Sequence, residues 1–149
     1  MKHSATLEKV IAILYETSRA LNTRLDYSEH CYQTFIMTRL QQEKFAVNKE
    51  VTCHFRYKNI RFGYGRIDLL VTTEDEVIVT ELKVNVQNKL KALNQLKKYL
   101  THYKTCKKVR GILAMYNCGV PLEITKLSFF SVLNFSVSVQ RGPYYEHYT

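Results

Sequence analysis

The chain has 149 residues, of which 46% are hydrophobic and 23% are charged, with only five Gly and two Pro. This composition excludes a collagen-like, linker-like or largely disordered protein, and the length suits one domain with a single core over residues 1–149. The 22 Lys and Arg against 13 Asp and Glu leave a formal charge of +9, which favours a polyanionic partner.

The apolar runs fall far short of the roughly 18 residues that a membrane-spanning helix needs. The chain starts with an amphipathic segment, and no small-residue cleavage site follows it. We therefore expect no membrane association, no secretion and an intracellular location, in cytoplasm or nucleus. The four cysteines have no C-x-x-C spacing, which favours reduced thiols over a zinc site.

Two helices are predicted at the start of the chain, followed by three strands. Apolar residues at helical intervals indicate one helix over residues 6–21 and a second from a cap at Asp26 or Ser28 to about Lys44. The inner stripe of the second helix is predicted to be Cys31, Phe35, Ile36 and Leu40. Residues 47–84 are rich in Val, Ile, Thr and aromatics and are broken at 58–59, 63–65 and 74–76, which predicts a meander.

A third helix is predicted over about residues 86–103, and two strands follow it, over 109–115 and within the run 127–139. Its apolar side is predicted to consist of Leu90, Leu93, Leu96, Leu100 and Tyr103. The order is ααβββαββ, which indicates an α/β fold with a central mixed sheet flanked by helices.

Two carboxylates interrupt apolar strands in the middle of the chain, Asp68 in I-D-L-L-V and Glu81 in V-I-V-T-E-L. If the two strands form a hairpin that turns at residues 74–75, paired residue numbers sum to 149. Asp68 then faces Glu81, and Lys83 points to the same side two residues further on. One face of the sheet is predicted to hold two acids and a lysine.

Carboxylates this close repel each other unless one keeps a proton or a cation binds. Oxygen ligands suit Mg²⁺ or Mn²⁺, which can polarise a phosphoryl oxygen and activate water. Lys83 could orient that water or neutralise charge on the phosphate. This arrangement is typical of a phosphodiester-cleaving site, and the alternative is an ordinary solvated ion cluster on an edge strand.

Three sequence blocks resemble the PD-(D/E)xK nuclease superfamily: G-R-I-D-L-L-V from Gly65, V-I-V-T-E-L-K from Val77 and N-Q-L-K-K-Y-L from Asn94. The likeness is closer to its small GxxExxY proteins, because residues 29–32 supply E-x-x-Y. Asp26 stands where that signature has Gly. The motif order is also similar to that of archaeal Holliday-junction resolvases and RecB-like nucleases.

The resemblance implies a restriction-endonuclease-like core that binds Mg²⁺ (or Mn²⁺). The metal-binding set that it implies is Asp68, Glu81, Leu82 and Glu29. Lys83 would be the catalytic lysine, and Gln95 would border the site together with Tyr99. From its position alone, Glu29 could equally stabilise the second helix by interacting with the positive end of its dipole.

A basic segment supports a nucleic-acid partner, since residues 83–121 contain no acid. Its nine cations are Lys83, Lys89, Lys91, Lys97, Lys98, Lys104, Lys107, Lys108 and Arg110. The candidate nucleic-acid contacts are Arg66, Lys91, Lys98, Tyr99 and Tyr32. For Lys91 and Lys98 the alternative is a solvated helix face.

These patterns predict a Mg²⁺-dependent nuclease, with DNA preferred over RNA on family grounds alone. One alternative is a basic nucleic-acid-binding module of the same fold without turnover. Another is a homodimeric Holliday-junction resolvase, and a homodimer is possible for this chain on length grounds.

Overall fold

The computed structural model describes residues 4–128, 137–141 and 144–148, the last two ranges as backbone only. The elements are α1 (Ala5–Ala20), a 3-10 turn (Thr23–Leu25), α2 (Glu29–Gln42), β1 (Ala46–Tyr57), β2 (Ile60–Thr72), β3 (Glu76–Val84), α3 (Lys89–His102), β4 (Lys108–Tyr116), β5 (Glu123–Ser128), β6 (Val137–Arg141) and β7 (Tyr144–Tyr148). None of the helices in the described residues is long and apolar enough to cross a membrane.

The strands form one mixed sheet in sequence order, β1 to β7. Neighbouring strands are antiparallel except β3 and β4, which are parallel because α3 carries the chain back between them. The predicted order ααβββαββ is confirmed from α1 to β5, and β6 and β7 extend the sheet. Of the strand run predicted over 127–139, residues 129–136 lie outside the described residues, and β5 begins earlier, at Glu123.

The sheet has a hydrophobic cluster on each face. On one face, called here the α2 face, helices α1 and α2 cover residues that include Leu69, Ile78 and Leu82. On the other, called the α3 face, helix α3 packs over residues that include Ile67 and Val79. The sheet is therefore covered on both sides, as its strands' apolar runs require.

The helix caps place the start of α2 beside the middle of the sheet. The Ser28 side chain accepts a hydrogen bond from the backbone N–H of Cys31, so Glu29 is the first helical residue. Asp26 is not the N-cap of α2; it is the C-cap of the 3-10 turn and has left-handed backbone angles (φ 56°, ψ 42°). Such angles are unfavourable for a residue other than Gly.

Three local predictions were wrong. Cys31 is exposed, because Tyr32 and Gln33 occupy the inner side of α2 instead. Leu90 is 66% exposed, because the buried side of α3 is formed by Ala92, Leu96, Tyr99 and Leu100. The third was a break in the strands at residues 63–65, through which β2 in fact runs without interruption.

The glycines within β2 provide space for aromatic side chains. A Cβ at Gly65 would lie 2.6 Å from Tyr99 Cε1, and one at Gly63 would lie 3.3 Å from Phe55 Cδ2. The pair therefore reflects close packing of rings on the strand rather than a turn.

Candidate active site

Asp68 and Glu81 meet where β2 and β3 separate. The two strands pair in the predicted register, with Leu70 opposite Val79 and Leu69 opposite Thr80, and the ladder ends there. Beyond the end of the ladder, carboxylate side chains instead of backbone carbonyl groups accept the hydrogen bonds of the backbone N–H groups. Glu81 Oε1 accepts a hydrogen bond from Asp68 N at 3.0 Å, and Asp68 Oδ2 accepts one from Leu82 N at 2.8 Å. The two carboxylates thus occupy the gap between diverging strands.

The hairpin of β1 and β2 reverses its faces at this point. Ile67 packs on the α3 face and Leu69 on the α2 face, although alternate residues of a regular strand share a face. On β1, Glu50 lies between the Lys49↔Leu69 and Val51↔Ile67 pairs and has a φ of 53°. This conformation costs a non-glycine residue about 1–2 kcal/mol, so the packing of the surrounding sheet must hold Glu50 in it.

The reversal leaves a cavity of about 140 Å³ beside Asp68. Its lining residues come from α2 and from the two separated strands, and they are Glu29, His30, Gln33, Glu50, Asp68 and Leu82. Gln33 fixes one wall, because its Nε2 donates a 2.9 Å hydrogen bond to the carbonyl oxygen of Asp68. The cavity therefore opens on the α2 face and presents three carboxylates.

The pKa values of the acids are raised in this environment. Burial, followed by the charge of Asp68, raises the pKa of Glu81 to about 9, and the side chain is 1% exposed. The pKa of Asp68 is raised chiefly by burial and also by the charge of Glu50. Burial and then the charge of Asp68 raise the pKa of Glu29. At neutral pH the site therefore holds fewer negative charges than carboxyl groups.

Lys83 is the cation that opposes this effect at each of the three acids. Its charge lowers the pKa values of Glu29, Asp68 and Glu81. Lys83 itself is partly exposed near the end of β3. These electrostatic interactions place Glu29, Asp68, Glu81 and Lys83 in one neighbourhood.

Gln95 contacts the site through a tyrosine. Its Nε2 donates a 2.7 Å hydrogen bond to the Tyr99 hydroxyl, which in turn donates a 2.8 Å bond to the carbonyl oxygen of Arg66 on β2. Burial, followed by the charge of Glu81, raises the pKa of Tyr99 to about 12. This chain of hydrogen bonds ties α3 to the strand that carries Asp68.

The interpretation of Tyr32 and Tyr99 as nucleic-acid contacts is corrected by their burial, since both rings are 0% exposed. The Tyr32 hydroxyl donates a 3.0 Å hydrogen bond to the carbonyl oxygen of Leu21, and its ring lies 4.7 Å from that of Tyr116. Neither ring has surface for a base, so both tyrosines serve packing.

Glu50 is a carboxylate of this site that the sequence patterns missed. It lies in a strand of mixed polarity, A-V-N-K-E-V, where an acid at an exposed position is ordinary. Only its position opposite Asp68, between two paired positions, and its left-handed backbone bring it to the cavity. No local sequence signal identifies such a position.

The donor set suits a small divalent cation, although within the described residues no three His, Cys, Asp or Glu side chains are arranged to hold an ion by themselves. Mg²⁺ is usually bound by one or two carboxylates, with waters and substrate phosphates as its other ligands. Asp68 and Glu81 would supply such carboxylates, and a dication would favour the ionised form of Glu81. Leu82 has no ligand atom in its side chain, and its backbone N–H is bonded to Asp68.

The exposed basic residues are distributed unevenly around the cavity. Arg66 is exposed on β2, two residues from Asp68, whereas Lys91 and Lys98 are exposed on α3, which contributes nothing to the cavity lining. Some cations of the acid-free segment have partners within the fold: Lys89 pairs with Glu123, Arg110 Nε lies 2.9 Å from Glu76 Oε2, and Lys107 Nζ donates to the Thr73 carbonyl oxygen at 2.8 Å. Fewer than nine charges therefore remain for a polyanion.

A comparison with protein families identifies the chain. The model described as the PD-(D/E)XK nuclease superfamily matches residues 4–127, a range that includes α2 and both acid-bearing strands. No curated protein and no solved structure matches the chain significantly. The mixed sheet with helices on both faces is consistent with a restriction-endonuclease-like fold, and the chain belongs to the PD-(D/E)XK nuclease superfamily.

Proposed function

We propose that this protein is a metal-dependent nuclease that hydrolyses phosphodiester bonds of DNA. The observation that carries the proposal is the meeting of Asp68 and Glu81 between diverging strands, with Lys83 close enough to lower the pKa values of both. A fold has no structural need for a carboxyl as deeply buried as that of Glu81 beside the charge of Asp68, which raises its pKa further.

Asp68 and Glu81 would hold Mg²⁺ or Mn²⁺, with Glu29 as a further ligand, directly or through water. When bound, the cation supplies charge that polarises a phosphoryl oxygen and lowers the pKa of water. Before it binds, Glu81 keeps a proton at neutral pH, because its pKa is about 9. Cation binding must displace that proton, so we expect affinity to rise with pH.

Lys83 would act on the phosphate and on water. Its positive charge already lowers the pKa values of the three acids, and the same charge can stabilise negative charge that develops on the phosphoryl oxygens. Gln95 would position the site indirectly, because its hydrogen bond goes to Tyr99 rather than to a carboxylate. Arg66 and the exposed lysines Lys91 and Lys98 would supply phosphate contacts without sequence recognition.

Cleavage assays with isosteric variants test the proposal. End-labelled single-stranded, duplex and branched DNA would be incubated with Mg²⁺, Mn²⁺ or EDTA, and products resolved on gels. We expect metal-dependent cleavage that is lost in Asp68→Asn and Glu81→Gln. Glu74→Gln is the matched control, because it removes one acid from the exposed turn of the same hairpin. Cleavage that persists in both site variants would refute the assigned roles.

The same assays decide between the two alternatives. Binding of DNA without cleavage of any substrate, in either metal, would favour a non-catalytic module of this fold. Selective cleavage of four-way junctions, together with a dimer in sedimentation equilibrium, would favour a resolvase.

A further inference from the structure

A hairpin arm, defined here as residues 51–67 of β1 and β2, extends past the point where β2 leaves β3. Strand β2 pairs with β3 only from Leu69 to Thr72, whereas its pairing with β1 continues out to Tyr57↔Ile60. At about 3.3 Å per residue, the arm reaches roughly 25 Å beyond Asp68. It is therefore a long surface that begins at the cavity.

Helix α3 supports one side of the arm. The Phe55 ring lies 6.3 Å from Tyr99 and 5.1 Å from His102, and the Phe62 ring lies 5.7 Å from His102. The backbone N–H of Arg56 donates a 3.2 Å hydrogen bond to His102 Nδ1. These contacts hold the arm in a defined position relative to the domain.

The opposite side of the arm is continuous with the cavity. Because a Cβ at Gly65 would point at Tyr99 on the α3 face, the neighbouring Tyr64 and Arg66 point to the α2 face, on which the cavity opens. Tyr64 is 69% exposed, and its ring lies 6.5 Å from that of His54. Along β2, Arg66 and Tyr64 lie roughly 7 and 13 Å from Asp68.

The arm combines exposed rings with charge of one sign. It contains four cations and no acid between Glu50 and Asp68. Its exposed apolar residues are Tyr57, Ile60, Phe62 and Tyr64, each between 62% and 69% exposed. The four cations are Arg56, Lys58, Arg61 and Arg66.

The exposed rings and positive charge of the arm favour one kind of binding partner over another. A second copy of the chain docked arm to arm would bring two sets of four cations together, and like-charge contacts of this kind cost several kcal/mol. A nucleic acid offers phosphates to the cations and bases to the rings. In a duplex the bases are stacked on one another, so only unpaired bases can stack on an exposed side chain.

We propose that the hairpin arm binds a single-stranded segment of nucleic acid that leads into the cavity, with Arg66 on a phosphate and Tyr64 stacked on an unpaired base. The role of the cavity in this inference rests on the proposed function. The substrate class is then a strand with unpaired nucleotides beside the cut, such as an overhang, flap or fork.

Binding measured without turnover tests this directly. Fluorescence anisotropy in EDTA would compare a labelled single strand of about 20 nucleotides with a duplex of the same sequence. Tyr64→Ala should weaken single-strand binding between about 5-fold and 100-fold, the range found for loss of one stacked base, and weaken duplex binding much less. Tyr64→Phe should retain binding, and Val120→Ala, which shortens an exposed apolar side chain outside the arm, should leave it unchanged.

Two results would overturn the inference. One is that Tyr64→Ala leaves single-strand binding unchanged, or weakens it no more than duplex binding. The other is a dimer in sedimentation equilibrium that Tyr64→Ala dissociates while DNA binding is retained, since a second copy would then cover the arm. Loss of single-strand binding in Tyr64→Ala together with a wild type that cleaves nothing would support the arm and refute the nuclease, so the two failures are distinguishable.

Discussion

Replacing Glu81 by Gln should stabilise the protein while abolishing its proposed activity. In the folded chain the pKa of this carboxyl is about 9, against 4.5 for an ordinary Glu. Between these pH values the unfolded chain releases the proton that the folded chain retains, so the free energy of unfolding falls as pH rises. Gln has the same shape, accepts the same hydrogen bond from Asp68 N and carries no proton to lose.

The size of the effect follows from the pKa difference. One pKa unit is worth about 1.4 kcal/mol, so between pH 4 and pH 7 the raised pKa of Glu81 alone removes about 3 kcal/mol from the free energy of unfolding. Glu81→Gln should remove that loss and raise the melting temperature by roughly 10 °C at pH 7 in EDTA. At pH 4, where both states of the wild type are protonated at this position, the two proteins should be nearly equal in stability.

Urea denaturation at pH 4, 7 and 8 measures the difference. Glu76→Gln is the matched control, because Glu76 is a buried acid on the same strand that is paired with Arg110. Its replacement should destabilise the fold at neutral pH, since it removes the partner of a buried cation. A Glu81→Gln variant less stable than wild type at pH 8 would refute the account of an unfavourably buried charge.

Three further predictions test the packing and the site. Gly65→Ala should cost about 1–3 kcal/mol of unfolding free energy in urea, because its Cβ would lie 2.6 Å from Tyr99, and Gly63→Ala should cost less; equal costs would contradict the packing argument. Asp26→Gly should gain up to about 1 kcal/mol by relieving a left-handed φ of 56°, and an equal gain from Ala at that position would exclude this cause. Lys83→Ala should reduce single-turnover cleavage at least about 100-fold while leaving Mn²⁺ affinity largely intact, and equal loss of both would contradict its assigned role.

The register that brings the acids together was predictable because two apolar runs flank a short polar turn. Residues 67–71 and 77–80 supply the apolar strand residues, and the E-D-E turn at 74–76 fixes where the chain reverses. Both runs are buried on both faces of the sheet, so the turn rather than an alternating pattern sets the pairing. The pairing of Leu70 with Val79 therefore followed from the sequence without any tertiary information.

The face reversal at Glu50 was not predictable, because it depends on tertiary structure. A left-handed residue in mid-strand has no signature when it is not Gly, and the acid reaches the cavity only through that conformation. The glycines of β2 were misinterpreted for a related reason. A glycine that admits a ring and a glycine that forms a turn are identical in sequence.

The burial of the two tyrosines was also beyond sequence reasoning. Tyr32 and Tyr99 carry hydroxyl groups that suit either a ligand or a buried hydrogen bond, and the choice depends on carbonyl oxygens from distant segments, at Leu21 and Arg66. Charge counts along the chain overstated the basic surface for the same reason, because they did not reveal the buried pair of Arg110 with Glu76.

The central claim, that Asp68 and Glu81 together bind a divalent cation, is tested most directly by calorimetric titration of Mn²⁺ into the metal-free protein near pH 7. Repeating the titration in buffers of different ionisation enthalpy counts the protons released. The account predicts saturable binding that releases close to one proton in wild type, because Glu81 begins protonated, and binding that is lost in Asp68→Asn. Mn²⁺ affinity unchanged by Asp68→Asn, or binding without proton release in the wild type, would contradict it.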